Sequence, residues 1–196
     1  EVVASCSSEG SNGLAANFHA ELRSRLQWPG GAMRARPVHL NTWEGFYFDV
    51  HPGPVKELAT AAAAVGIERF VLDDGWFLGR HHDPDESKFP NGLGELIAHV
   101  NALGMEFGLW VEPEMINPDS DLFRAHPDWA LQLDGRPVLT ARNQLVLDIS
   151  RPEAADYLFD KIAALLAAHP IRYLKWDHNR DLTTAGLSNG APGYRA

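Results

Sequence analysis

From Val38 onward the chain alternates between apolar segments of strand length and longer segments with helical spacing, and this pattern limits the folds open to it. Val38–Trp43, Ile67–Leu72, Met105–Val111 and Ile171–Trp176 read as strands, with Gln144–Ile149 strand-like. Pro52–Val65, Leu93–Leu103 and Pro152–Ala168 read as helices. The first and last have proline near the start, and Gly66 and Gly104 stop the first two. A short helix is expected over Asp121–Ala125. Repeated strand–helix units mean an α/β fold with a parallel sheet and helices outside it.

Two architectures share that pattern, the open doubly wound sheet and the closed (β/α)8 TIM barrel. The polar residues favour the barrel. Strand after strand ends in acids or tryptophans: Trp43-Glu44, Asp73-Asp74-Gly75-Trp76, Trp110-Val111-Glu112-Pro113-Glu114 and Lys175-Trp176-Asp177. Barrels gather their active sites at the C-terminal ends of many strands. Doubly wound sheets use one crevice, usually with a glycine-rich phosphate loop, and no GxGxxG or GxxxxGK[ST] follows a strand here. A complete barrel takes about 250 residues, and this sequence has 196. The expectation is an incomplete barrel over 37–196. Residues 1–36 read as the end of a preceding domain and a Pro/Gly linker, with helical spacing at Phe18, Leu22 and Leu26.

Composition excludes some functions. The formal net charge is −9, and no run of Lys or Arg suggests nucleic-acid binding. No stretch approaches the roughly 20 apolar residues of a membrane span. Cys6 is the single cysteine, so no internal disulfide forms. With no signal peptide apparent, a cytoplasmic location is the default expectation.

Several constellations carry chemistry. Side chains alternate along a strand, so Tyr173, Lys175 and Asp177 share one face. Lys175 beside Asp177 would hold the carboxylate ionised, either as a nucleophile toward a sugar C1 or as a structural ion pair. Asp73 and Asp74 repel unless something binds them. Hexose hydroxyls, a divalent metal or helix capping would each serve, and Trp76 could cover an apolar sugar face. Gly108, Trp110 and Glu112 share a face, which makes Trp110 either a pocket wall or core; Trp43 poses the same choice. His81-His82-Asp83 lacks the further ligands of a zinc site and reads as loop. With no GxSxG, and with Cys6 outside the alternating region, Ser- or Cys-based hydrolysis is not expected.

Taken in order, Asn41–Glu44, Phe70–Trp76, Gly108–Met115, Arg142–Asp148 and Tyr173–Arg180 resemble the α-galactosidases of glycoside hydrolase family 36. The segment around Phe89-Pro90-Asn91-Gly92-Leu93 fits as well, and the Lys-Trp-Asp-x-Asn-Arg string ending at Arg180 is the most specific match. The resemblance implies a barrel catalytic domain that removes terminal α-linked galactose from oligosaccharides such as melibiose and raffinose, with retention. It implies Asp177 as nucleophile, and Asp73, Asp74 and Lys175 on the galactose ring. Trp43 and Trp110 would line the pocket, with Arg142 and Asn179 as further substrate contacts. It implies no metal and no organic cofactor, and a full-length enzyme that is a homo-oligomer. A retaining mechanism also needs a second carboxylic acid. In the family it lies well downstream of the nucleophile, and no acid occurs from Leu182 to Ala196, so the expectation is that this chain stops before it. The alternatives are an α-N-acetylgalactosaminidase or galactosyl transferase of the same fold, and an inactive sugar-binding fragment.

Overall fold

The structure, a computed structural model, describes residues 3–77, 83–132, 136 and 139–179. The chain forms two compact units, Glu1–Arg36 and Pro37–Ala196. In the first, α1 (Gly10–Arg25) begins a full two turns before the apolar spacing does. The early turns are held by the preceding stretch of polar residues. Asn17 donates to Ser5 Oγ and to the Cys6 carbonyl, and a Cβ on Gly13 would collide with Ser7.

The second unit opens with β1 (His39–Asn41), the helical turn α2 (Trp43–Phe46), α3 (Pro52–Ala64) and β2 (Arg69–Leu72). It continues through α4 (Gly94–Ala102), β3 (Glu106–Val111), β4 (Met115–Ile116), α5 (Asp121–Ala125), β5 (Leu145–Val146), α6 (Pro152–Ala168) and β6 (Ile171–Trp176). Among the described residues four strands form a parallel sheet in the order β1-β2-β3-β6, so the expected α/β fold with a parallel sheet is present.

Proline fixes the φ that a first helical turn needs and lacks only an N–H that would have no partner there, which sets the starts of α3 and α6. Gly66 (φ +86°) and Gly104 (φ +83°) adopt the left-handed conformation that ends α3 and α4. The apolar faces of both helices, Val55, Ala59 and Ala62 with Leu96, Ile97 and Val100, close on Phe70, Leu72, Phe107, Leu109 and Val111. Each large side chain so buried contributes about 1.5–3 kcal/mol. The period of two then turns the intervening residues to the other face. There Gly108 lies in register with Val71 and Tyr173, and a Cβ on it would come within 3.0 Å of both side chains.

Two expectations for strands need correction. Val38–Trp43 is strand only over His39–Asn41. The chain leaves the sheet at Thr42, whose hydroxyl accepts from the Asp73 N–H, and Trp43 begins a helical turn. Gln144–Ile149 is not in the parallel sheet. Only Leu145–Val146 is strand, paired antiparallel with β4. This strand pair contributes Ile116 and Leu145 to a second apolar cluster with Leu122, Trp129, Ala130 and Leu147, within the long crossover from β3 to β6. No helix among the described residues is long and apolar enough to cross a membrane.

Candidate active site

The C-terminal ends of β2, β3 and β6, with the segments after β1 and before β5, enclose a pocket of about 400 Å³. All eight residues singled out from sequence line it: Trp43, Asp73, Asp74, Trp110, Arg142, Lys175, Asp177 and Asn179. Phe48 joins them, edge-on to Trp43 with ring centroids 5.1 Å apart. Sequence reasoning passes over Phe48. Its one signal is the aromatic run Phe46-Tyr47-Phe48 that follows Trp43 in the connection to α3.

Asp177 follows β6 directly, its N–H bonded to the Val111 carbonyl, so the end of the sheet fixes its backbone. Its Oδ2 accepts from the indole N–H of Trp110 at 2.8 Å and from the Asn179 side-chain amide at 2.8 Å. Among the described residues Oδ1 accepts a single bond, from the His178 N–H at 3.0 Å. Partial burial pushes this carboxyl up. The bonds from Trp110, Asn179 and His178, with the field of Lys175, outweigh that and hold it below the usual carboxylate range. Asp177 is thus an ionised group whose Oδ1 carries fewer hydrogen bonds than Oδ2 among the described residues.

Lys175 does not pair with Asp177, as its neighbouring position suggested. Its ammonium reaches over β3 to Asp73 Oδ2 at 2.8 Å. Asp73 is almost wholly buried and also accepts from Asn41 Nδ2 and the Asp74 N–H, which is how two adjacent aspartates coexist. Asp74 has less help. Burial pushes its carboxyl up, the Glu112 and Asp73 charges add to that, and the Gly75 N–H and Arg142 oppose it, leaving it at about 6. The Arg142 guanidinium is 3.9 Å from Asp74 Oδ2, beyond hydrogen-bond reach, so that oxygen has room for a donor from a ligand.

Trp76 does not cover a sugar face. Gly75, at φ +99° with no room for a Cβ against the Phe48 backbone, turns the chain inward. Trp76 is fully buried, its indole N–H donating to the Trp110 carbonyl. Trp110 meets both of its readings: the ring is buried and stacked on Phe77, while its N–H edge faces the pocket. Of the His81-His82-Asp83 run, the histidines lie outside the described residues, as does Arg180; Asp83 pairs with Lys161 at 3.8 Å. No group of three potential metal ligands occurs among the described residues.

The arrangement suits a small polyol: acids, cations and aromatic rings line one pocket, with the ionised, half-buried carboxylate of Asp177 among them. The sequence profile of the melibiase family matches residues 1–193. The chain belongs to the melibiase family. Among its members, the α-galactosidase of Escherichia coli is 51% identical over 189 residues, covering 92% of this chain and 26% of that protein. α-Galactosidase AgaA of Geobacillus stearothermophilus is 46% identical over 196 residues, covering 96% and 27%. A substituted form of AgaA, a glycoside hydrolase family 36 α-galactosidase, solved with 1-deoxygalactonojirimycin, superposes with a TM-score of 0.85 at 44% identity over 95% of this chain and 27% of that one. Another AgaA variant, solved with raffinose, gives 0.84 at 44% identity over 92% and 26%. The chain spans about a quarter of the length of the relatives it matches.

Proposed function

We propose that this chain carries the galactose pocket and the nucleophile of a retaining α-galactosidase, with the parallel sheet forming part of a (β/α)8 barrel. The observation that carries the reading is the environment of Asp177, a strand-end carboxylate held ionised by three donors, two on Oδ2 and one on Oδ1, beside a hydroxyl-matching pocket. The family, and the complex of a relative with raffinose, support α-galactosides such as melibiose and raffinose as substrates.

In this mechanism Asp73 and Asp74 accept hydrogen bonds from galactose hydroxyls, Lys175 donates to one of them, and Arg142 reaches a hydroxyl near the reacting carbon. Trp43 and Trp110 wall the ring. Asp177 Oδ1 attacks C1, and the bond from C1 to the leaving oxygen breaks. That oxygen takes a proton from a second carboxylic acid, which a retaining mechanism requires. Water then attacks C1, gives its proton back to that acid, and releases Asp177 with net retention.

The test is hydrolysis of a nitrophenyl α-galactoside by the full-length enzyme, with the first-formed anomer followed by proton NMR. Release of α-galactose, abolished in Asp177→Asn, is the expected result. First-formed β-galactose, or full activity in Asp177→Asn, would overturn the assignment.

A further inference from the structure

Glu112 lies directly after β3, and its side chain is 2% exposed. A buried carboxylate of this kind is costly unless its oxygens are satisfied. Here both are. Oε1 accepts from the Asn179 backbone N–H at 3.1 Å and from Asn179 Nδ2 at 3.0 Å, and Oε2 accepts from Gln144 Nε2 at 3.1 Å. The Arg142 guanidinium stands 3.7 Å from Oε1.

These partners are not scattered. The amide nitrogen of Asn179 that donates to Glu112 also donates to Asp177 Oδ2, so its two hydrogens link the two carboxylates. Gln144 closes a two-residue turn with Ala141, the pair exchanging backbone bonds at 3.0 and 3.1 Å. The tip residues, Arg142 (φ 53°) and Asn143 (φ 59°), both take the positive φ that such a hairpin requires and that a non-glycine residue resists. Glu112 thus grips this turn at its base through Gln144 and at its tip through Arg142. The same carboxylate grips the segment after β6 at Asn179.

We propose that Glu112 is a positioning residue, a hub that aims the Asn179 amide at the nucleophile Asp177 and sets the Arg142 turn at the rim of the pocket. It touches neither the pocket lumen nor, by this geometry, the sugar. The functional half of this inference rests on the α-galactosidase reading above.

The test compares Glu112→Gln, Asn179→Ala and the double variant. Glu112→Gln keeps the shape but has one acceptor oxygen where Glu112 has two. Each single variant should lower kcat on a nitrophenyl α-galactoside by ~10- to 100-fold, the effect of one lost charge-assisted bond at the nucleophile. The double variant should be no slower than Asn179→Ala within about 3-fold, because the two residues act through one chain of bonds. Multiplied effects in the double variant would overturn the proposal. A second arm needs no turnover: the Asn179 side-chain amide protons in 15N-labelled protein, assigned by their loss in Asn179→Ala. They should exchange with solvent at least ~10-fold faster in Glu112→Ala, which removes the Glu112 acceptor of Asn179 Nδ2 outright. Unchanged exchange would overturn the positioning role even if wild-type turnover were absent, an outcome that would by itself refute only the α-galactosidase reading.

Discussion

Replacing Lys175 by methionine keeps most of the side-chain volume and removes the ammonium that reaches Asp73 Oδ2 at 2.8 Å. Asp73 is only 3% exposed and would be left with two donors, Asn41 Nδ2 and the Asp74 N–H. Breaking a fully buried ion pair from one side costs about 3–5 kcal/mol. Lys175 is 37% exposed, so solvent already screens part of the attraction, and the remaining donors cover part of the carboxylate. The expected loss is therefore about 1–3 kcal/mol. For a chain of this size each kcal/mol moves Tm by about 2–4 °C, so thermal unfolding by circular dichroism should fall by about 2–12 °C. The double variant Asp73→Asn/Lys175→Met removes the stranded charge and should be more stable than Lys175→Met alone. A single variant with unchanged Tm, or a double variant destabilised by the sum of the two single effects, would refute the pairing.

Other consequences follow from the same geometry. Asp74, raised to about 6, should bind sugar hydroxyls best when ionised, so galactose affinity should rise as pH climbs through about 6, with proton release in calorimetry across buffers of different ionisation heat. Because the folded state raises this group above its ordinary 3.8, its contribution to stability is greatest below that value and is lost as pH rises toward 6. Asp74→Asn should then be more stable than wild type at pH 7, by up to about 3 kcal/mol, and converge with it near pH 4 in urea titrations. Gly75→Ala forces a Cβ to within 2.9 Å of the Phe48 backbone at a φ of +99°. It should cost about 1–3 kcal/mol in the same titrations and weaken galactose binding by displacing the Trp43–Phe48 wall.

Much of the site is legible in the sequence because strand alternation decides which residues share a face. Tyr173, Lys175 and Asp177 group by spacing alone, as do Gly108 and Trp110. Alternation does not name partners. Lys175 meets Asp73 across 102 residues because β2 and β6 flank β3, an order and register that no local pattern encodes. Trp76 departs from its expected place for a local reason: the positive φ of Gly75 reverses the direction that a continuing strand would have given it. The segment around Gln144 misleads because a two-residue antiparallel pairing carries the same apolar signature as a short buried strand. Glu112 looks like any acid after a strand, and only the convergence of Asn179, Gln144 and Arg142 marks it out.

The central claim is that Asp177 attacks the anomeric carbon. The most direct measurement is trapping with a fluorinated α-galactosyl fluoride, whose leaving group needs no proton from the second acid, followed by peptide mapping by mass spectrometry. One added fluorogalactosyl group on the peptide containing Asp177, absent in Asp177→Asn, is the expected result. An adduct on any other carboxylate, or hydrolysis of this fluoride by Asp177→Asn at the wild-type rate, would contradict it.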